Sequence, residues 1–169
     1  MRPLTFLVSA AFILLGLSAY GGDLKDTNFG FSVKIPDPFK DVGKGADPNT
    51  LYQFTDGEPA PGKMPRVIII QRMHGTIAKE GHMKPSDIPL PPGGKATIEK
   101  FKWNDLNLEL TRVIYPIPDG GSLVVYGTQY PLPKEAVQLQ VGGSMEHDAE
   151  LRKLFETLAG SLVSLEDVK

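Results

Sequence analysis

Residues 136–162 read AVQLQVGGSMEHDAELRKLFETLAGSL, and two structural periodicities meet inside them. Residues 136–141 read as a β-strand, and the glycines and serine that follow read as its exit. From Asp148 onward the apolar residues fall at Leu151, Leu154, Phe155, Leu158 and Leu162. That spacing of three, four, seven and eleven is one stripe along a helix, which must be buried against another layer. Ser144 or Asp148 can cap the helix, and Glu146, Asp148 and Glu150 sit where its dipole favours negative charge. A sheet strand running straight into an amphipathic helix predicts an α+β domain whose last helix covers one sheet face.

Working back towards the N-terminus, the chain supplies the rest of that sheet. Residues 123–130, 106–115 and 96–103 read as strands joined by short turns, Pro118-Asp119-Gly120-Gly121 and Asn104-Asp105. Sequential strands with tight connections predict an antiparallel meander. Within 106–115 the apolar set moves from Leu106, Leu108 and Leu110 to Val113 and Tyr115, a phase change that predicts a bulge near Arg112. Val67-Ile68-Ile69-Ile70 has no polar face and is expected to be covered on both sides. Residues 51–55 read as a short strand. Residues 29–35 alternate as Phe29, Phe31, Val33 and Ile35 and stop at Pro36-Asp37-Pro38. Residues 76–83 are compatible with a short helix, and residues 84–94 form a proline-rich loop.

The first residues have another character. Arg2 is the one charge before Asp23, residues 4–17 are almost wholly apolar, and small residues follow at Ser18, Ala19, Gly21 and Gly22. A positive start, a short apolar core and small residues after it are the pattern of a secretory signal peptide. We read 1–19 as that leader, with cleavage after Ala19 or Gly21, and 20–169 as a single domain. An uncleaved anchor is the alternative, but a span takes about 20 apolar residues and this run is shorter. The implied location is periplasmic or secreted, with no membrane span after cleavage.

Composition narrows the partners. Eighteen Lys and Arg against twenty Asp and Glu leave a net charge of −2 and no basic stripe, which argues against nucleic acid. There are no cysteines, so disulfides, thiol chemistry and cysteine-bound metals are excluded.

The order of a GFSVKIPD strand at residues 30–37, a long antiparallel sheet, the AVQLQVGG strand at 136–143 and the LRKLFETLAGSL helix at 151–162 resembles the PsbP-like superfamily. The resemblance spans about residues 26–165. It implies an antiparallel sheet, here about six strands, in an α/β/α sandwich, and non-enzymatic accessory or binding roles in exported proteins. It carries over no functional residue and no cofactor.

Candidate chemistry is sparse. Met73-His74 and His82-Met83 flank Glu80, and thioether with imidazole is a ligand set that suits copper. Should residues 76–83 fold back, Met73, His74, His82 and Met83 could share one ion; otherwise His74 ends a strand and His82 lies in a connection. His147 beside Glu146, Asp148 and Glu150 could join a cation site or simply cap a helix. Gly121-Ser122 and Gly143-Ser144 do not match a nucleophile elbow, and Asp87, Asp105, Glu109 and Asp119 are scattered rather than paired. Phe101, Trp103, Tyr115, Tyr126 and Tyr130 read as core, with a ligand cleft as the alternative. The expectation is an exported, monomeric, non-enzymatic domain that engages a protein partner in the cell envelope, with small-ligand or copper binding through 73–83 as the alternative.

Overall fold

The computed structural model describes residues 18–19, 21–58, 64–73, 85–118, 120–133 and 135–166. Among these residues, eleven strands and one α-helix follow in chain order: β1 (Ser18–Ala19), β2 (Gly22–Asp26), β3 (Phe31–Ile35), β4 (Lys40–Asp41), β5 (Thr50–Thr55), β6 (Val67–Met73), β7 (Lys95–Trp103), β8 (Leu106–Pro116), β9 (Ser122–Pro131), β10 (Ala136–Ser144), α1 (Asp148–Ser161) and β11 (Val163–Ser164). The larger sheet has eight strands in the order β1-β4-β5-β6-β10-β9-β8-β7, and the smaller has three, β11-β3-β2. Every pairing is antiparallel.

The meander expected from the short turns is β7 to β10. Its first hairpin closes through Asn104-Asp105, with Asn104 at φ 51°, a conformation that asparagine tolerates better than most side chains. The strand β6 then pairs with β10 from the other side, so residues 74–94 join strands that have three others between them. The α+β class holds. The main sheet carries eight strands where the sequence suggested about six, and the second sheet accounts for the others.

The register explains the core. Leu139 lies opposite Ile70 and Thr128, and Val141 opposite Ile68 and Tyr126, so Val137, Leu139, Val141, Ile68, Ile70, Phe54, Val124 and Tyr126 share one face. Onto it α1 lays Leu151, Phe155, Leu158 and Ala159, all fully buried. Burying each large apolar side chain stabilises the fold by about 1.5–3 kcal/mol. At Gly143 a Cβ would lie 3.2 Å from a methyl of Leu151, so glycine there lets the helix lie close on β10. The small sheet packs beside the helix, with the Phe31 ring edge-on to Tyr52 of β5 at 6.4 Å.

The other face explains a departure. Ile68 and Ile70 are buried as expected, but Val67 and Ile69 are half-buried. Ile69 lies between Gln53 and Gln140, and the Gln140 amide donates to Gln71 at 3.0 Å, so a glutamine strip borders that face. Complete cover on both sides is therefore not what this strand has.

The bulge expected near Arg112 is not there either. The β7–β8 register runs unbroken from Lys95↔Ile114 to Trp103↔Leu106. Leu110, Arg112 and Ile114 continue the core face, and Val113 is buried on the opposite one. The apolar pattern shifts because an arginine occupies a core-face position. The one register shift described lies in β5–β6, between Thr50 and Tyr52.

Candidate functional site

Two groups of polar side chains stand out, and each is built by elements distant in sequence. The first lies under the start of α1. The Arg112 guanidinium donates to Asp148 through Nη2 at 2.6 Å and through Nε at 3.2 Å, and to the Tyr126 hydroxyl at 3.1 Å; that hydroxyl donates to Asp148 Oδ1 at 2.7 Å. The hydrogen bond from Arg112, against the opposing effect of burial, holds the Asp148 carboxyl below the usual carboxylate range. The bond to Asp148 raises Arg112, and burial raises the Tyr126 hydroxyl. Arg152 of α1 lies over the Tyr126 ring, 5.8 Å from its centre, and pairs with Glu99 and Glu156. A fully bonded cluster of this kind fixes a helix on a sheet. Asp148 is therefore a strut: no side chain caps α1, and the carboxylate expected to do so turns inward to Arg112. Ser144 makes no side-chain cap either.

The second group lines a cleft of about 250 Å³ formed by Asn28, Phe29, Arg72 and Glu135. Its shape begins at Asp26, a buried carboxylate at the end of β2. Oδ1 accepts the backbone N–H groups of Asn28 and Phe29 at 2.8 and 3.0 Å, while Oδ2 accepts the Tyr52 hydroxyl at 2.9 Å. Gly30, at φ 77°, lets the chain turn back into β3, a conformation glycine adopts freely. That tight turn places Asn28 and Phe29 at the cleft. Arg72, one residue before the end of β6, donates its backbone N–H to Asn49 at 2.8 Å. Its guanidinium lies 5.5 Å from the Phe29 ring centre and donates to both carboxylate oxygens of Glu135, at 2.6 Å from Nε to Oε2 and also from Nη2 to Oε1. Glu135 is held just before β10, where its carbonyl accepts Leu132 N–H at 2.7 Å.

Of the proposed metal ligands, Met73 is the half-buried last residue of β6, paired across from Ala136. His74, His82 and Met83 lie outside the described residues, as do Glu80 and the expected helix at 76–83. Among the described residues, no three His, Asp or Glu side chains are grouped to hold a metal ion. His147 is half-buried at the start of α1, 3.5 Å from Glu146 and 3.6 Å from Glu150. Trp103, Tyr126 and Tyr130 are buried, with Trp103 and Tyr130 ring centres 4.5 Å apart, so these aromatics are core. Phe29, by contrast, lies in a turn at the cleft rather than in the strand that its alternation suggested.

No protein-family model matches the chain, and no curated protein matches it in sequence. Among solved structures it is similar to LpqN of Mycobacterium tuberculosis, described as involved in cell envelope biogenesis. The identity is 12%, the alignment covers 79% of this chain and 82% of LpqN, and the TM-score is 0.52. PsbP (CyanoP) of Synechocystis sp. PCC 6803 aligns at 14% identity over 84% of this chain and 91% of its own, with a TM-score of 0.49. These are likenesses of fold. An antiparallel sheet closed by a C-terminal helix is an arrangement that the sequence resemblance implied.

Proposed function

We propose that this protein is an exported, monomeric, non-enzymatic accessory domain that engages another protein in the cell envelope, in the periplasm or as a secreted chain. The observation that carries this reading is the fold it shares with LpqN over most of both chains, LpqN being described as involved in cell envelope biogenesis. The apolar leader at residues 4–17 supports export. Among the described residues, no helix is long and apolar enough to cross a membrane. Three of the described ion pairs, Arg112 with Asp148, Arg66 with Asp56 and Arg72 with Glu135, tie neighbouring elements together.

The test is capture of partners by the tagged full chain, crosslinked in intact envelopes and read by mass spectrometry, with metal content measured on the same sample. One protein recovered at a defined stoichiometry from metal-free material supports the accessory role. Copper at about one ion per chain, lost in His74→Ala and His82→Ala, replaces it with metal binding through 73–83.

A further inference from the structure

We propose that the cleft between the β2–β3 turn and the end of β6 is where a partner is gripped, and that it takes a short, uncharged main-chain segment with an apolar side chain. The inference rests on the reading of the protein as a partner-binding domain and names the surface and the chemistry.

Charge excludes one class of ligand. Arg72 and Glu135 lie side by side with both carboxylate oxygens engaged, so the cleft is close to neutral. A free anion at the guanidinium would face the Glu135 carboxylate beside it, and a free cation at the carboxylate would face Arg72, so neither gains a net attraction. What remains available is hydrogen-bonding capacity. Nε and Nη2 of Arg72 serve Glu135, while Nη1 donates to no described residue. The Asn28 carboxamide also has no partner among the described residues and offers both a donor and an acceptor. A peptide unit matches that set, its carbonyl accepting from Arg72 Nη1 and its N–H donating to the Asn28 oxygen.

Size points the same way. About 250 Å³ falls short of the roughly 300–1,000 Å³ usual for small-molecule pockets. It suits one side chain and the peptide unit beside it. Phe29, half-buried with Arg72 against its ring, supplies the apolar wall. The site is held in shape before any ligand arrives, because Asp26 fixes the turn through two backbone N–H groups and Tyr52 fixes Asp26. Preorganisation lowers the ordering cost of binding.

The experiment titrates the capped tripeptide acetyl-alanyl-leucyl-alaninamide into the isotopically labelled full chain. Sodium acetate and inorganic phosphate are titrated separately, and the Arg72 guanidinium and Asn28 carboxamide NMR signals are followed. The peptide is expected to shift both in a saturable way at millimolar concentration, and the two anions to leave them in place. Asn28→Ala, which keeps the Arg72–Glu135 pair, is expected to weaken peptide binding by about 3- to 10-fold, as loss of one or two hydrogen bonds does. Phe29→Ala should weaken it further. Equal shifts with acetate or phosphate, no shift with the peptide, or unchanged affinity in Asn28→Ala would each overturn the proposal. The two readings fail separately. Peptide binding by a chain that captures no envelope protein leaves the cleft and sinks the accessory role. A captured partner retained in full by both variants leaves the role and sinks the cleft.

Discussion

The Arg112 guanidinium and the Asp148 carboxylate, 36 residues apart, meet at 2.6 Å where β8 passes beneath the first turn of α1. Each is incompletely exposed, and each would be an uncompensated charge against the core without the other. The pair explains both the arginine on a core face of β8 and the absence of a side-chain cap on α1.

Acid should release this strut. The folded Asp148 carboxyl is held below its usual range, so its contribution is fully present above the unfolded pKa of about 3.9 and is lost as the pH falls through the lower folded value. Wild-type urea midpoints should fall on acidification below about pH 4. Asp148→Asn should be less stable at pH 7, with the gap closing as the pH drops. A gap that stays constant with pH would show that the ionised carboxylate is not what stabilises.

Removing the cation is expected to be costlier than shortening it. Arg112→Met removes the guanidinium that donates to both Asp148 and Tyr126 and should cost about 1–3 kcal/mol in urea unfolding. Arg112→Lys keeps the charge but loses the fork that reaches Asp148 and Tyr126 together, and should fall in between. Combined with Asp148→Asn, the losses should be far from additive.

Close approach of α1 to β10 is checked at Gly143. A Cβ there meets both Leu151 methyl carbons, at 3.2 and 3.3 Å. Gly143→Val should lower stability by about 1–3 kcal/mol through overpacking, with Gly143→Ala costing less, as calorimetry would register. No loss in the valine variant would mean that the helix can lift without penalty.

Phe155 tests the helix as a core element. It is fully buried between Phe101, 5.5 Å away, and Tyr126, 6.4 Å away, measured between ring centres. Phe155→Ala should cost about 3–5 kcal/mol, enough to unfold a marginal domain.

Removal of residues 1–19 as the proposed leader should leave the fold intact. Cleavage after Ala19 or Gly21 removes β1, which makes only the pairings Ser18↔Asp41 and Ala19↔Lys40 at the end of the main sheet. Intact mass should place the new N-terminus at Tyr20 or Gly22, with a melting temperature close to that of the uncleaved chain. A mass retaining residues 1–19 in the exported fraction would count against the leader.

Elements with a strong apolar period could be read from the chain. Helix α1 and the meander β7–β10 were legible because Leu151, Leu154, Phe155 and Leu158 repeat at helical spacing and the connections are short. Of the second sheet only β3 was, through the alternation of Phe31, Val33 and Ile35. In β2, Gly-Asp-Leu-Lys-Asp buries only Leu24 and Asp26, and Asp26 is buried because it anchors a turn. Two-residue strands such as β4 and β11 carry too few side chains to show a pattern. The cleft was the least legible feature, since Asn28, Phe29, Arg72 and Glu135 come from a turn, a strand end and a loop.

What the sequence determined by itself is what near neighbours along the chain decide: the type of the long elements, their turns and the α+β class. Periodicity records which face of an element is buried, so it survives without knowledge of the partner. Only the tertiary structure decided where Arg112 finds Asp148 and where Arg72 finds Glu135 and Phe29. Those contacts depend on strand order and register, which set distances between residues tens of positions apart, and no local pattern encodes them.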